Sequence, residues 1–206
     1  MFYRSSALFK KTPNRFPANA GFSMVELMVS IGIVVMVLSV VVTRQNAFNG
    51  AVLLRGQAYE IALAMREVQL GAISASSDGS GQFRSVQGMH FDVANNQQYY
   101  LFRDTDGNQF RNDTGSEDFG FSGIIDPRFE IRSIEYGLNN LNELSVVFQR
   151  PNFDAIFVTN DSGAILNEQS VNVVIGLRGG GTGVCGEDTR TIQITSAGQI
   201  AVTECP

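Results

Sequence analysis

Hydrophobic and polar positions divide the chain into three regimes. Leu27 to Val42 contains no charged residue at all. From Gln57 to about Ser74 the apolar positions Ala58, Ile61, Ala62, Met65, Val68 and Ala72 recur at three- and four-residue steps, which predicts an amphipathic helix with one buried face. No proline lies between Pro17 and Pro127. Nothing therefore forbids one helix from Phe22 to about Ser74, roughly 80 Å long at the helical rise. Gly50, Gly56 and Gly71 weaken its outer half, and the small polar stretch Ser74 to Gly81 ends it.

Beyond that stretch the pattern changes to the two-residue period of strands. Strands are predicted at Gly88 to Asp92, Gln98 to Arg103, Phe129 to Ile134, Leu144 to Gln149, Ala155 to Thr159, Val171 to Leu177, Thr191 to Thr195 and Gln199 to Thr203. Alternation is clearest in Thr191-Ile-Gln-Ile-Thr, which turns Ile192 and Ile194 inward; Ser196-Ala-Gly198 then folds the chain into a C-terminal hairpin. With 206 residues, 44% of them hydrophobic, the chain has material for one globular domain plus an extra element. The expected fold is α+β, a long N-terminal helix with a membrane-spanning first half, packed on a mainly antiparallel sheet.

Charge sharpens the picture at the N-terminus. Arg4, Lys10, Lys11 and Arg15 give the segment before Gly21 a charge of +4, so the rest of a chain with net charge −5 carries −9. So acidic a domain repels a phosphate backbone on average, and nucleic-acid binding is not expected. A secretory signal peptide puts its apolar core before the cleavage site; here the basic leader comes first and the apolar run follows Gly21-Phe22-Ser23-Met24-Val25-Glu26. The 21 residues from Phe22 to Val42 span about 30 Å as a helix, the thickness of a bilayer's hydrocarbon. Leader charges hold the preceding segment in the cytoplasm, which puts everything after Arg44 on the other side. Glu26 is the one carboxylate in this span, at an insertion cost on the order of 2.5–3.5 kcal/mol. It calls for a positive partner or for solvation at headgroup level.

The string GFSMVELMVSIGIVVMVLSVVV resembles the N-terminus of type IV prepilins and type II secretion pseudopilins. The resemblance implies a prepilin peptidase that cuts after Gly21 and N-methylates Phe22, with Glu26 as the acid of the motif. It further implies that Glu26 pairs with the freed amine of a neighbouring subunit's Phe22 in a filament. The family often carries a proline near the end of the apolar run, where Thr43 stands here; its absence predicts a straighter helix. Tyr59-Glu-Ile-Ala-Leu-Ala-Met-Arg-Glu-Val-Gln and the closing Thr191-Ile-Gln-Ile-Thr-Ser-Ala-Gly-Gln-Ile resemble H-type minor pseudopilins and their FimT-like relatives. Expected segments are a basic leader 1–21, a transmembrane and assembly helix 22–43, its amphipathic continuation 44–76 and a β-rich pilin-like domain 77–206. The expected location is the bacterial cytoplasmic membrane, single-pass, with the globular domain outside the cytoplasm.

Other features carry less chemistry. Cys185 and Cys205 enclose 19 residues without a third cysteine. In an exported domain they read as a disulfide, and in a cytosolic one as two buried thiols. Asp104-Thr-Asp106-Gly-Asn108 begins like a calcium loop, and some pseudopilins bind calcium in a loop. However, Gln109 stands where glycine is wanted and Gly115 where the bidentate glutamate should be, with Asp113, Glu117 and Asp118 nearby. An acidic turn without metal is the expectation. Gly181-Thr-Gly183-Val-Cys-Gly186 spells a phosphate loop, but strand follows it, so no helix N-terminus is at hand. His90 is the only histidine and falls in a predicted strand. With no GxSxG elbow either, neither an enzyme nor a cofactor is expected.

The functional expectation is a structural subunit, a minor pilin or pseudopilin, whose partners are prepilin peptidase, other subunits of the filament and the inner membrane. Two alternatives stay open. One is a filament-tip module for DNA or another ligand, although the tail from Ala201 to Pro206 offers only Glu204 as a charge. The other is an uncleaved domain on a single-pass anchor.

Overall fold

The computed structural model describes residues 21–74, 86–112, 117–149, 151–159, 164–180 and 188–204, leaving aside the side chains of 43–48 and 119–122. The chain forms two compact units, residues 1–44 and 45–206. One helix, α1 (Met24–Ile73), contributes to both.

In the first unit, α1 starts where Ser23 C=O accepts the Leu27 N–H at 3.1 Å, and Glu26 lies in its first turn. Met24–Val42 has a mean hydropathy of 2.7 and no side chain buried, so it is long and apolar enough to cross a membrane. The helix continues past Thr43 without a break, as a segment without proline allows.

In the second unit the rest of α1 buries the predicted face. Leu54, Ala58, Ile61 and Met65 are fully inaccessible, and Ala62, Val68 and Ala72 nearly so. Among the described residues eleven strands follow: β1 (Val86–Asp92), β2 (Gln98–Asp104), β3 (Asp118–Ile124), β4 (Phe129–Tyr136), β5 (Asn139–Leu141), β6 (Glu143–Phe148), β7 (Ala155–Thr159), β8 (Ala164–Leu166), β9 (Ser170–Leu177), β10 (Thr189–Thr195) and β11 (Ile200–Thr203). They form two sheets, not the single one expected. Their orders are β3-β2-β1-β6-β7-β8 and β11-β10-β9-β4-β5. Every neighbouring pair is antiparallel.

The helix stripe shares one apolar core with both sheets, through Met89, Phe91, Leu144, Val146 and Phe148 of the first and Ile131, Val173, Ile175, Ile192 and Ile194 of the second. A carbonyl or amide at the rim of this core is costly unless bonded, and helix side chains meet several. Gln57 Oε1 accepts the Asp126 N–H (3.0 Å), Arg66 donates to Ile200 C=O (2.9 Å), and Gln69 Nε2 donates to the carbonyls of Phe153 (3.0 Å) and Gly198 (2.9 Å). β10 and β11 make the predicted hairpin, with Ile194 opposite Ile200.

Candidate functional site

Three places collect chemistry-bearing residues. The first is the N-terminal segment. Gly21 has open space around it, Phe22 is 81% exposed, and Glu26 is exposed on the first turn of α1, where a carboxylate complements the helix dipole. No charged residue follows until Arg44. The leader, residues 1–20, lies outside the described residues. So do Cys185, Cys205 and the glycine-rich segment 181–186.

The second is the connection between β2 and β3, which closes over the outer face of the first sheet. Along β1 the alternation sends Met89 and Phe91 to the core and leaves Gly88 and His90 on the other side. Gly88 is there because Phe102 lies across it: a Cβ would come within 2.6 Å of that ring and 2.9 Å of Val146 C=O. Phe110, 1% exposed, seals this face and meets the His90 ring edge-on at 5.2 Å between centroids. His90 Nδ1 lies 2.9 Å from Ser145 Oγ, and Ser145 Oγ also accepts the Arg111 N–H at 3.3 Å. Ser145 is fully buried and its hydroxyl is spent on these two neighbours. The pair works as an anchor for the loop.

Arg111 is the residue sequence reasoning missed. Its guanidinium grips Asp118 in a two-point pair (2.7 and 3.0 Å) and stacks on Tyr100 with its central carbon 3.6 Å from the ring centre. A planar, permanently charged fork suits both contacts at once. The available signal was a lone arginine between two acidic clusters, too common to single out.

The expected acidic turn is here as well. Asp104, Asp106 and Glu117 form the one group of three among the described residues whose ligand atoms all lie within 4.8 Å of one another, so these residues could hold a cation. Asn108 stands beside this group: its side-chain amide donates to Asp106 Oδ2 at 3.0 Å and its Oδ1 accepts the Phe110 N–H at 2.7 Å, and Glu117, named in the sequence only as a nearby acid, completes the three carboxylates. Asp113 and Gly115 lie outside the described residues. Each carboxylate is already occupied by the loop's own donors. Asp104 accepts from the amides of Gly107 and Gln109, Asp106 from those of Asn108 and Asn112, and Glu117 from the backbones of Thr105 and Asn112. Burial raises the Asp104 carboxyl above its ordinary value, with the two amides opposing; the Asn108 N–H, first among several donors, lowers that of Asp106. Chemically the arrangement staples a long loop shut.

Comparison with family models, curated proteins and solved structures finds no match for this chain.

The third place is a groove in the second unit, of about 890 Å³, lined by Asn49, Gly50, Val52 and Leu53 of α1 and by Pro127, Arg128, Leu177, Arg178 and Gly179. Sequence reasoning gave no hint of it, because the groove is made by three segments far apart in the sequence. Arg128 is held by Asp126 at 2.7 and 2.8 Å, which lowers the Asp126 carboxyl to about 2. Arg178 is exposed, and its guanidinium makes no ion pair with any described residue.

Proposed function

We propose that the chain is a structural subunit of a type IV pilus-like or type II secretion filament, a minor pilin or pseudopilin of the H-type kind. On this reading prepilin peptidase cuts after Gly21 and methylates Phe22. The single observation that carries it is the N-terminal arrangement: an accessible Gly21–Phe22 bond, an exposed apolar helix from Met24 to Val42, and Glu26 as its only charge.

A helix apolar on all sides has no soluble partner face, so it resides in lipid or against copies of itself. Cleavage discards the leader's +4 and frees an amine four residues before Glu26. An unpaired carboxylate in an apolar layer is costly, and a neighbour's new N-terminus offsets that cost. The filament then extends by adding subunits, with the β-rich domain outside the cytoplasm.

Mass spectrometry of the membrane fraction tests this. An N-terminus at Phe22, heavier by one methyl group, is expected, with accumulation of the full-length chain when Gly21 is replaced by a bulky residue. An intact leader in the native host, indifferent to Gly21, would leave the anchored-domain alternative standing instead.

A further inference from the structure

We infer that the groove beside Arg178 is a seat for one anionic phospholipid, with the lipid phosphate on the Arg178 guanidinium and its glycerol and acyl region against Val52 and Leu53. The inference rests on the membrane-anchored reading above. Its volume of about 890 Å³ is in the range of small-molecule sites. Its wall joins two kinds of surface, apolar and cationic, that an amphiphile uses together. Val52 and Leu53 are 52% and 42% exposed, with Pro127 and Leu177 beside them. Two arginines and no acidic residue line the rest.

Charge selects the ligand class. Asp126 neutralises Arg128, so Arg178 carries the uncompensated charge of the groove. The chain after Gly21 carries −9, so an anionic bilayer repels the domain in general. Attraction is confined to places where cations outnumber acids, and a lipid bound at such a place fixes which face the domain turns to the membrane.

Chain length supplies proximity. Six residues, 43–48, separate Val42, the last of the apolar span, from Asn49 at the groove. Even fully extended, that connection reaches at most about 25 Å. Asn49, at the rim of the groove, therefore lies no more than that distance from the end of the apolar span.

The chain has no tryptophan, so single tryptophans report cleanly. Leu53→Trp and, as a marker of insertion, Val35→Trp are made in the full chain and reconstituted into phosphatidylcholine vesicles containing a minority of phosphatidylglycerol. The bromine quencher is carried on one lipid or the other. For Leu53→Trp, quenching is expected to favour brominated phosphatidylglycerol over brominated phosphatidylcholine by about fivefold, the effect of one basic residue at an anionic surface. Arg178→Gln should abolish the preference and Arg178→Lys should keep most of it. Equal quenching by both lipids at Leu53→Trp overturns the proposal, as does a blue shift that follows protein density and not lipid charge, which would put a second copy in the groove. In both cases Val35→Trp is still quenched, so the membrane reading survives. Loss of quenching at Val35→Trp overturns that reading and the lipid seat together.

Discussion

Gln109 holds a left-handed backbone, φ 61°, while its N–H reaches Asp104 Oδ2 at 3.1 Å. The sequence reading marked this as a position that wants glycine, and the backbone there adopts the conformation that glycine favours. An L-residue loses about 1–2 kcal/mol in that region, and the extra freedom of glycine in the unfolded chain takes back about 0.4–1 kcal/mol. Gln109→Gly is therefore expected to stabilise the protein by about 0.5–1 kcal/mol, seen as a higher denaturant midpoint at unchanged slope. A second residue-scale effect depends on pH. The bonds from the Arg128 side chain, then its N–H, lower Asp126 from 3.8 to about 2. A carboxyl more acidic in the folded state stabilises that state above its unfolded value and ceases to do so as pH falls through its folded one. The contribution is thus complete above about pH 4 and lost toward pH 2. Following the Asp126 carboxyl carbon by NMR should give a midpoint near 2, and Arg128→Gln should return it toward 3.8.

At the scale of elements, the C-terminal hairpin depends on one turn residue. Gly198 has φ +77°, and a Cβ there would run into Phe153 C=O and the Gln69 amide that ties helix to turn. Strain and clash coincide, so Gly198→Ala should cost more than about 2 kcal/mol, read as a lower thermal midpoint with loss of protection at the amides of β10 and β11. This turn was legible because Ser196-Ala-Gly198 interrupts two alternating runs. All eight strands expected from alternation are present, as is the helix, to within two residues at its start and one at its end. β3, β5 and β8 were not foreseen. β3 reads Asp118-Phe-Gly-Phe-Ser-Gly-Ile, with two glycines where strand formers belong, and the other two are three residues long, too short to display a period. The division into two sheets was hidden for a different reason. It depends on β1 pairing with β6 and β4 with β9, contacts between distant segments that no local pattern encodes. The loop staple is a mixed case: its carboxylates stand out in the sequence, whereas Arg111, Ser145 and Tyr100 come together only through the sheet.

On the proposed reading as a membrane-anchored filament subunit, the decisive residue for the whole molecule is Glu26. Without its charge the span is more apolar, so Glu26→Gln is expected to enter the membrane at least as well as the native chain, since the insertion cost of about 2.5–3.5 kcal/mol is largely removed. Stability of the β-rich unit should not change, because Glu26 is exposed and belongs to the other unit. If the chain is cleaved and assembled into a filament as proposed, growth has the opposite requirement. A cleaved subunit presents a new amine at Phe22, and in an apolar filament interior that amine needs a carboxylate as much as the carboxylate needs it. Glu26→Gln should therefore leave a folded subunit in the membrane fraction and deplete it from sheared filaments by tenfold or more if the pair is worth at least about 1.4 kcal/mol per added subunit. Quantitative immunoblots of the two fractions measure this directly. Equal depletion from both fractions would point to a folding or insertion defect, and normal incorporation would mean that Glu26 is solvated at the headgroups and that assembly draws its specificity from the apolar helix alone.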